Sequence, residues 1–433
     1  MIISSLYILL VFYIIHRWDL FKNDSIKKKE FHLAFAIKLV AAFCLYLIYT
    51  EYYRERHLAD IFKFYDDSLI LSESFFNKPI DFIKILLNLD FNKEYFENTY
   101  YINMNHWDTS YSSPLLNESR LMIRINAIIN IISLNNYCVN VTTFVFSGLI
   151  GLAMILKSIN HLITNSRQKI LFWSLILFPS ILLWSSGILK EPLIILSIGM
   201  ILWSIKKLSK FGKNNLTSIL LLSIGLFLML KLKFYVFACF TPALAAYLIS
   251  IRFKKSPTYV TVSTFILLLV SIVILNLFES NYNPIEIIAK KQNDFIRLAT
   301  FYKAGSYFYL APLSSDLLSF SKAAPMGIIN GFFRPFPSNI HNITHVLPLI
   351  ENIIIYVFFI YLILLNRKEI IKIPHDKSSL IISSLFFTLL LFTVLGMTTP
   401  VIGALVRYKL PATLFLIILS LLIYDHTKPL KKR

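Results

Sequence analysis

Apolar runs of 14 to 23 residues recur along the whole chain, and no other feature of the sequence restricts its fold so severely. A helix rises 1.5 Å per residue, so about 20 apolar residues cross the roughly 30 Å hydrocarbon core of a bilayer. Candidate spans lie near residues 2–15, 32–50, 137–156, 170–187, 192–205, 216–230, 234–251, 258–277, 350–365, 379–396 and 404–424. The expected fold class is an all-α integral membrane protein with about eleven transmembrane helices. A composition of 56% hydrophobic and 15% charged residues is too apolar for a water-soluble chain of 433 residues.

The 43 Lys and Arg against 24 Asp and Glu give a net charge of +19. In a soluble protein that excess would suggest nucleic acid. Here 23 of the cations fall in short loops and a tail on one side of the expected bundle, from Arg17 to the Lys428–Arg433 tail. The positive-inside rule therefore accounts for the charge, and nucleic-acid binding has no support. It orients the chain with the N-terminus outside and the C-terminus cytoplasmic. The first run lacks a basic start and a small-residue cleavage site, so it reads as a short span and not a signal peptide. Lys38, inside the second span, is expected to snorkel towards its inner end. Cys44, Cys138 and Cys239 show no metal or disulfide spacing and read as small core residues.

Residues 1–433 read as one polytopic domain, with two long extracytoplasmic segments, 51–136 and 278–349, carrying short interfacial helices. The first holds 12 of the 24 acidic residues, a concentration that membrane insertion does not require. Pro79 followed by Asp81-Phe82-Ile83-Lys84-Ile85-Leu86-Leu87 predicts a short helix with proline in its first turn, lying in the headgroup layer.

No phosphate loop, dinucleotide fingerprint, zinc-protease or serine-hydrolase motif occurs, so no cofactor or metal is expected. Polar clusters at the outer boundary remain. Asp66 and Asp67 are adjacent carboxylates beside low-dielectric lipid; each raises the pKa of the other, as a general base requires, unless the pair merely caps a helix or is solvated. Asn117, Glu118, Arg120 and Arg124 lead into the third span. On a helix the two arginines share a face and suit a pyrophosphate, a phospholipid or Glu118 itself. His106-Trp107-Asp108 reads as an interfacial anchor or a site component. Pro179 should kink the fourth span, after which Lys190-Glu191 form either a functional pair or a self-satisfied turn. Arg334 sits on a stiff turn, Arg334-Pro335-Phe336-Pro337, followed by His341, His345 and Glu351. The His spacing is not set on a helix, so a metal site is not expected. Arg407-Tyr408-Lys409-Leu410-Pro411 opens the last span.

The stretch from Phe178-Pro179-Ser180 through Trp184-Ser185-Ser186-Gly187 to Lys190-Glu191, the Arg334-Pro335-Phe336-Pro337 turn and Arg407-Tyr408 to Pro411 resemble polytopic bacterial membrane proteins of surface-polysaccharide synthesis. The chain is similar to the O-antigen polymerase and type C membrane glycosyltransferase superfamily. The resemblance implies an enzyme acting on polyprenyl-linked sugars at the outer face, with Asp66 or Asp67 as base and Arg334 or Arg407 on the donor phosphates. No Asp-Glu or Asp-x-Asp signature accompanies them.

The expected activity is transfer or polymerisation of sugars from a polyprenyl-(pyro)phosphate carrier. Asp66, Asp67 or Glu118 would deprotonate the acceptor hydroxyl, and Arg120, Arg124, Arg334 and Arg407 would hold the leaving phosphate, each role contributing roughly 10²-fold. Lys190, Glu191 and Glu351 would support them. A transporter or flippase for the same lipid-linked sugars, or a non-catalytic assembly subunit, are the alternatives. The gathering of ionisable residues at one boundary favours the enzyme over the transporter.

Overall fold

The computed structural model describes residues 2–23, 25–52, 55–107, 119–210, 215–277, 283–339 and 343–427. The chain is 84% helical. Among the described residues the only extended pairing is a single antiparallel bridge between Tyr307 and Val401. The helices are α1 (Ile2–Arg17), α2 (Lys28–Leu47), α3 (Asp60–Asn77), α4 (Pro79–Leu87), α5 (Lys93–Thr99), α6 (Ser119–Ser133) and α7 (Tyr137–Ile159). They continue as α8 (Asn165–Leu177), α9 (Pro179–Trp184), α10 (Lys190–Lys210), α11 (Leu216–Leu232), α12 (Phe234–Phe253), α13 (Pro257–Leu277) and α14 (Pro284–Phe301). The last six are α15 (Leu317–Phe333), α16 (Ile343–Leu365), α17 (Arg367–Ile370), α18 (His375–Thr398), α19 (Ile402–Tyr408) and α20 (Leu410–Thr427).

Local chemistry explains many of these boundaries. α4, α9, α13 and α14 begin at a proline, whose fixed φ suits the first helical position and whose missing N–H is not needed there. Asn283 and Asp316 cap α14 and α15, accepting from the backbone N–H of Ile285 at 3.0 Å and of Ser319 at 2.7 Å.

Among the described residues eight helical segments are long and apolar enough to cross a membrane: Lys28–Glu51, Tyr137–Leu162, Lys190–Ser209, Phe234–Phe253, Pro257–Asn276, His345–Leu364, His375–Thr398 and Leu410–Thr427. The described chain is thus all-helical, with a set of apolar helices consistent with a multi-pass membrane protein. Only 6% of the Pro257–Asn276 window is buried inside the protein against 78% of Leu410–Thr427, so the first turns its apolar surface to lipid and the second is core. Ile2–Arg17 and Leu216–Leu232 are shorter apolar helices. The expected span 170–187 is two helices: α8 ends at Leu177, Phe178 is extended, and α9 starts at Pro179. The proline that should kink this span breaks it, because its ring cannot follow a continuing helix.

The chain forms two compact units, Met1–Ser158 with Leu182–Phe234, and Ile159–Ile181 with Tyr235–Arg433. In the first, α10 packs against α11 and α3 against α6. A ladder of buried amides ties α6 to its neighbours: Asn140 donates to Asn126 and Asn130, and Asn130 donates to Ser68. Lys38 does not snorkel. It is fully buried and donates to the Ser185 hydroxyl. Cys44 and Cys138 are exposed and only Cys239 is buried, so two of the three cysteines face outwards instead of filling the core.

In the second unit α20 packs against α18, α8 and α16, and α15 crosses α18. That crossing is closed by glycine. A Cβ on Gly331 would meet the Phe392 carbonyl oxygen at 2.0 Å, and one on Gly396 would meet that of Gly327 at 2.0 Å. Gly327 and Gly331 are spaced G-x-x-x-G, the pattern that lets apolar helices approach backbone to backbone.

Candidate functional site

In the first unit, helical geometry separates Asp66 from its neighbour. Asp66 faces outwards and takes a two-pronged contact from Arg56, with Nε at 2.9 Å and Nη2 at 2.6 Å. Asp67, 100° further round the helix, is buried and accepts the backbone N–H groups of Asn105 at 3.0 Å and His106 at 2.7 Å. Burial holds the Asp67 pKa above its ordinary value against those two hydrogen bonds; Asp66 contributes less. The carboxylate thus fastens the 105–107 loop. His106 Nδ1 lies 3.7 Å from Asp67, and burial, with Lys63 nearby, pushes the imidazole pKa down to about 4.

That loop presents Trp107, which is fully buried and stacked on Tyr101 at 4.6 Å. It is therefore a core side chain, not an interfacial anchor. Arg120 and Arg124, on one face of α6, place their guanidinium carbons 5.3 and 5.1 Å from the Trp107 ring. Arg120 also donates to the Trp107 carbonyl and Arg124 to Asn88. Asp67, Arg120 and Arg124 are brought together around Trp107; Asp66 is turned elsewhere. Asp108, Asn117 and Glu118 lie outside the described residues.

Glu191 is wholly buried and bonds Lys233 at 2.7 Å, while the Lys190 ammonium lies 5.6 Å from the Phe64 ring. A carboxylate taken this far from water needs a partner, and the nearly inaccessible Lys233 supplies one.

The second unit holds Arg334, Arg407 and Glu351. Arg334 follows α15 directly, one turn beyond the Gly331 crossing. Asn330 accepts from its Nε at 2.8 Å and Asn339 from its Nη1 at 2.8 Å. The guanidinium carbon lies 3.7 Å from the Phe308 ring and 5.0 Å from that of Phe336. Phe308 is set in place where the 306–308 segment pairs with 400–402, its N–H reaching the Pro400 carbonyl at 2.8 Å. The Arg334 carbonyl accepts from Asn352 at 3.0 Å and from the Lys409 ammonium at 2.8 Å. Lys409 is buried, with the Phe392 ring at 5.3 Å. Burial lowers the Arg334 pKa.

The partners of this pair are all neutral: side-chain amides, aromatic rings and one carbonyl. Among the described residues neither Arg334 nor Lys409 has a carboxylate within ion-pair distance. The Lys409 ammonium meets Arg334 at its backbone carbonyl, and a buried ammonium beside a half-buried guanidinium favours the approach of an anion. Arg334 commits two of its five N–H groups to amides that fix the plane of its fork, and the rest suit a phosphate or carboxylate.

Arg407 is buried, and its neighbour Tyr408 meets the rings of Tyr235 and Phe295, each at 6.0 Å. The Lys291 ammonium lies 3.3 Å from the centre of the Tyr235 ring. Glu351 is buried apart from these residues, accepting the Ser180 backbone N–H at 2.6 Å and the Ser180 hydroxyl. It replaces the helical partner that Ser180 loses at the α8–α9 break, and it lines an apolar groove of about 800 Å³ between α8 and α16. His345 bonds the Asn339 carbonyl and so braces the Arg334 loop; His341 lies outside the described residues.

Sequence reasoning selected Arg334 and Arg407 but not Lys409, Asn330, Asn339 or Lys291. The available signal was Lys409 itself, an ionisable residue one position from an apolar helix that runs to Thr427. No protein-family model matches this sequence, and no curated protein or solved structure is significantly similar to it.

Proposed function

We propose that this protein binds the phosphate of a polyprenyl-linked glycan at the outer face of a bacterial inner membrane and transfers or polymerises its sugars during surface-polysaccharide synthesis. The observation that carries the reading is the Arg334–Lys409 pair, a half-buried guanidinium and a buried ammonium whose partners among the described residues are all neutral. A structural ion pair would have supplied its own carboxylate; this pair is completed by an anion from outside. Its place beside apolar helices suits an anion attached to a lipid, and the charge that develops on a departing phosphate is the charge such a pair stabilises.

The topology belongs to the same reading. Besides the eight long helices, α1, α11 and the broken α8–α9 segment cross the bilayer, giving eleven spans with the N-terminus outside. That arrangement puts residues 334 and 409 at the outer leaflet.

The test is genetic and chemical. Cells carrying only Arg334→Ala or Lys409→Met should accumulate unpolymerised lipid-linked repeat units and lose long glycan while the protein persists in the membrane. Glycan of normal length in both variants would remove this pair from the function. Repeat units trapped on the inner leaflet would favour a flippase.

A further inference from the structure

We infer that the outward face of α4, together with Phe76 and Phe91 on either side of it, is a preformed docking surface for the anionic headgroup layer of the bilayer. Phe76, Ile80, Ile83, Leu87 and Phe91 are 52% to 83% exposed. Ile80, Ile83 and Leu87 recur at i, i+3 and i+7, one stripe of the α4 surface, with Phe76 at the end of α3 and Phe91 beyond α4 flanking it. The opposite face carries the buried Phe82 and Ile85. A stripe of this size facing water would be an aggregation hazard, so it has an occupant.

The fold identifies that occupant. α3, which leads into α4, lies against the ends of two membrane-length helices: Phe62 meets Tyr46 of α2 at 5.7 Å and Tyr137 of α7 at 5.4 Å. Tyr65 and Ser72 both bond Asn135, just before α7 begins. The pinned stretch from residue 62 to 72 covers roughly 15 Å of helix, so α3 runs beside the ends of the spans instead of prolonging one of them. α4 follows after a single residue at that same level.

The charges agree with a lipid surface. Asp81, the one acid of α4, is turned inwards to accept the hydroxyls of Tyr95 at 2.7 Å and Tyr100 at 3.0 Å. Lys78, though exposed, donates to the Tyr95 hydroxyl at 3.0 Å, whereas Lys84 stands exposed beside the stripe, placed for phosphate groups. The surface is also held rigidly, since Asn88 at the end of α4 accepts from Arg124 of α6 at 3.1 Å. Docking therefore requires no new folding.

This inference is independent of the glycan reading. Full-length protein with its three cysteines replaced by serine, then carrying Ile83→Cys or Leu87→Cys with an environment-sensitive fluorophore, is reconstituted into nanodiscs containing phosphatidylglycerol. Nitroxide lipids labelled near the glycerol should quench both probes more than lipids labelled near the chain terminus, as expected about 5–10 Å below the headgroups. A probe at Asn98→Cys, on α5, should respond to aqueous quencher alone, and Lys84→Gln should weaken the shallow quenching at position 87. Quenching of 83 and 87 by aqueous reagent only, stronger quenching by the deep nitroxide, or protection from every quencher as in a self-associated pair would each overturn the proposal. Equal helicity and melting in all labelled proteins keeps the comparison between folded molecules.

Discussion

At Lys409, two requirements oppose each other: the ammonium is withdrawn from water, which destabilises the charge, yet it receives only a carbonyl and an aromatic face. Such an arrangement suits ligand binding better than stability. Lys409→Met is therefore expected to melt no lower than the wild type while losing about tenfold or more in affinity for the anion, the range for a hydrogen bond to a charged group. Asp67 is the opposite case. Asp67→Ala leaves two backbone N–H groups without acceptors at about 1–3 kcal/mol each, and should expose Trp107 to a fluorescence quencher. His106 sets a pH dependence: its folded pKa of about 4 lies below the ordinary 6.5, so the unfolded chain takes up the proton first. Stability of the first unit should be full above about pH 6.5 and fall as pH drops towards 4, and His106→Gln should flatten that part of the melting curve. That Arg334 sits on a stiff turn was legible in sequence, because two prolines and three aromatics surround it. That its polar partners are amides was not, since Asn339 and Lys409 reach it only through the folded loop.

The elements were legible where apolar length or proline dictated them. The helix expected after Pro79 runs Pro79–Leu87, and the disruption expected at Pro179 is present as a full break. Within the segment 278–349, α14 and α15 were hidden by Lys290, Lys291 and Pro325, which break the apolar pattern without breaking the helices. The α15–α18 crossing depends on the absence of side chains at three glycines. Gly331→Leu must push the helices apart and displace Arg334 one turn later, so it should lower thermal stability by about 1–3 kcal/mol, as overpacking does, and abolish anion binding as fully as Arg334→Ala. Gly305→Ala, where a Cβ meets nothing within 4 Å, is the matched control and should leave binding intact.

Over the whole molecule, charge placement and apolar length specify an all-helical membrane protein, but not the way its chain divides. The unit boundary at Ile159–Ile181 lends α8 to the C-terminal half, a pairing of distant sequence that no local pattern announces. As a consequence, candidate residues at one expected boundary are shared between two units, with Asp67, Arg120 and Arg124 in one and Arg334, Arg407 and Lys409 in the other. The orientation is open to a direct check: a C-terminal fluorescent-protein fusion should glow in the cytoplasm, and a cysteine placed at Tyr309, which is 76% exposed, should react with an impermeant reagent added outside intact spheroplasts. The central claim, that an outside anion completes the Arg334–Lys409 pair, is tested most directly by equilibrium binding to the purified full-length protein in nanodiscs. Polyprenyl pyrophosphate should bind the wild type at least about tenfold more tightly than it binds Arg334→Ala or Lys409→Met, while the uncharged polyprenol should not distinguish the three proteins. Equal affinity of the pyrophosphate for all three would contradict the account.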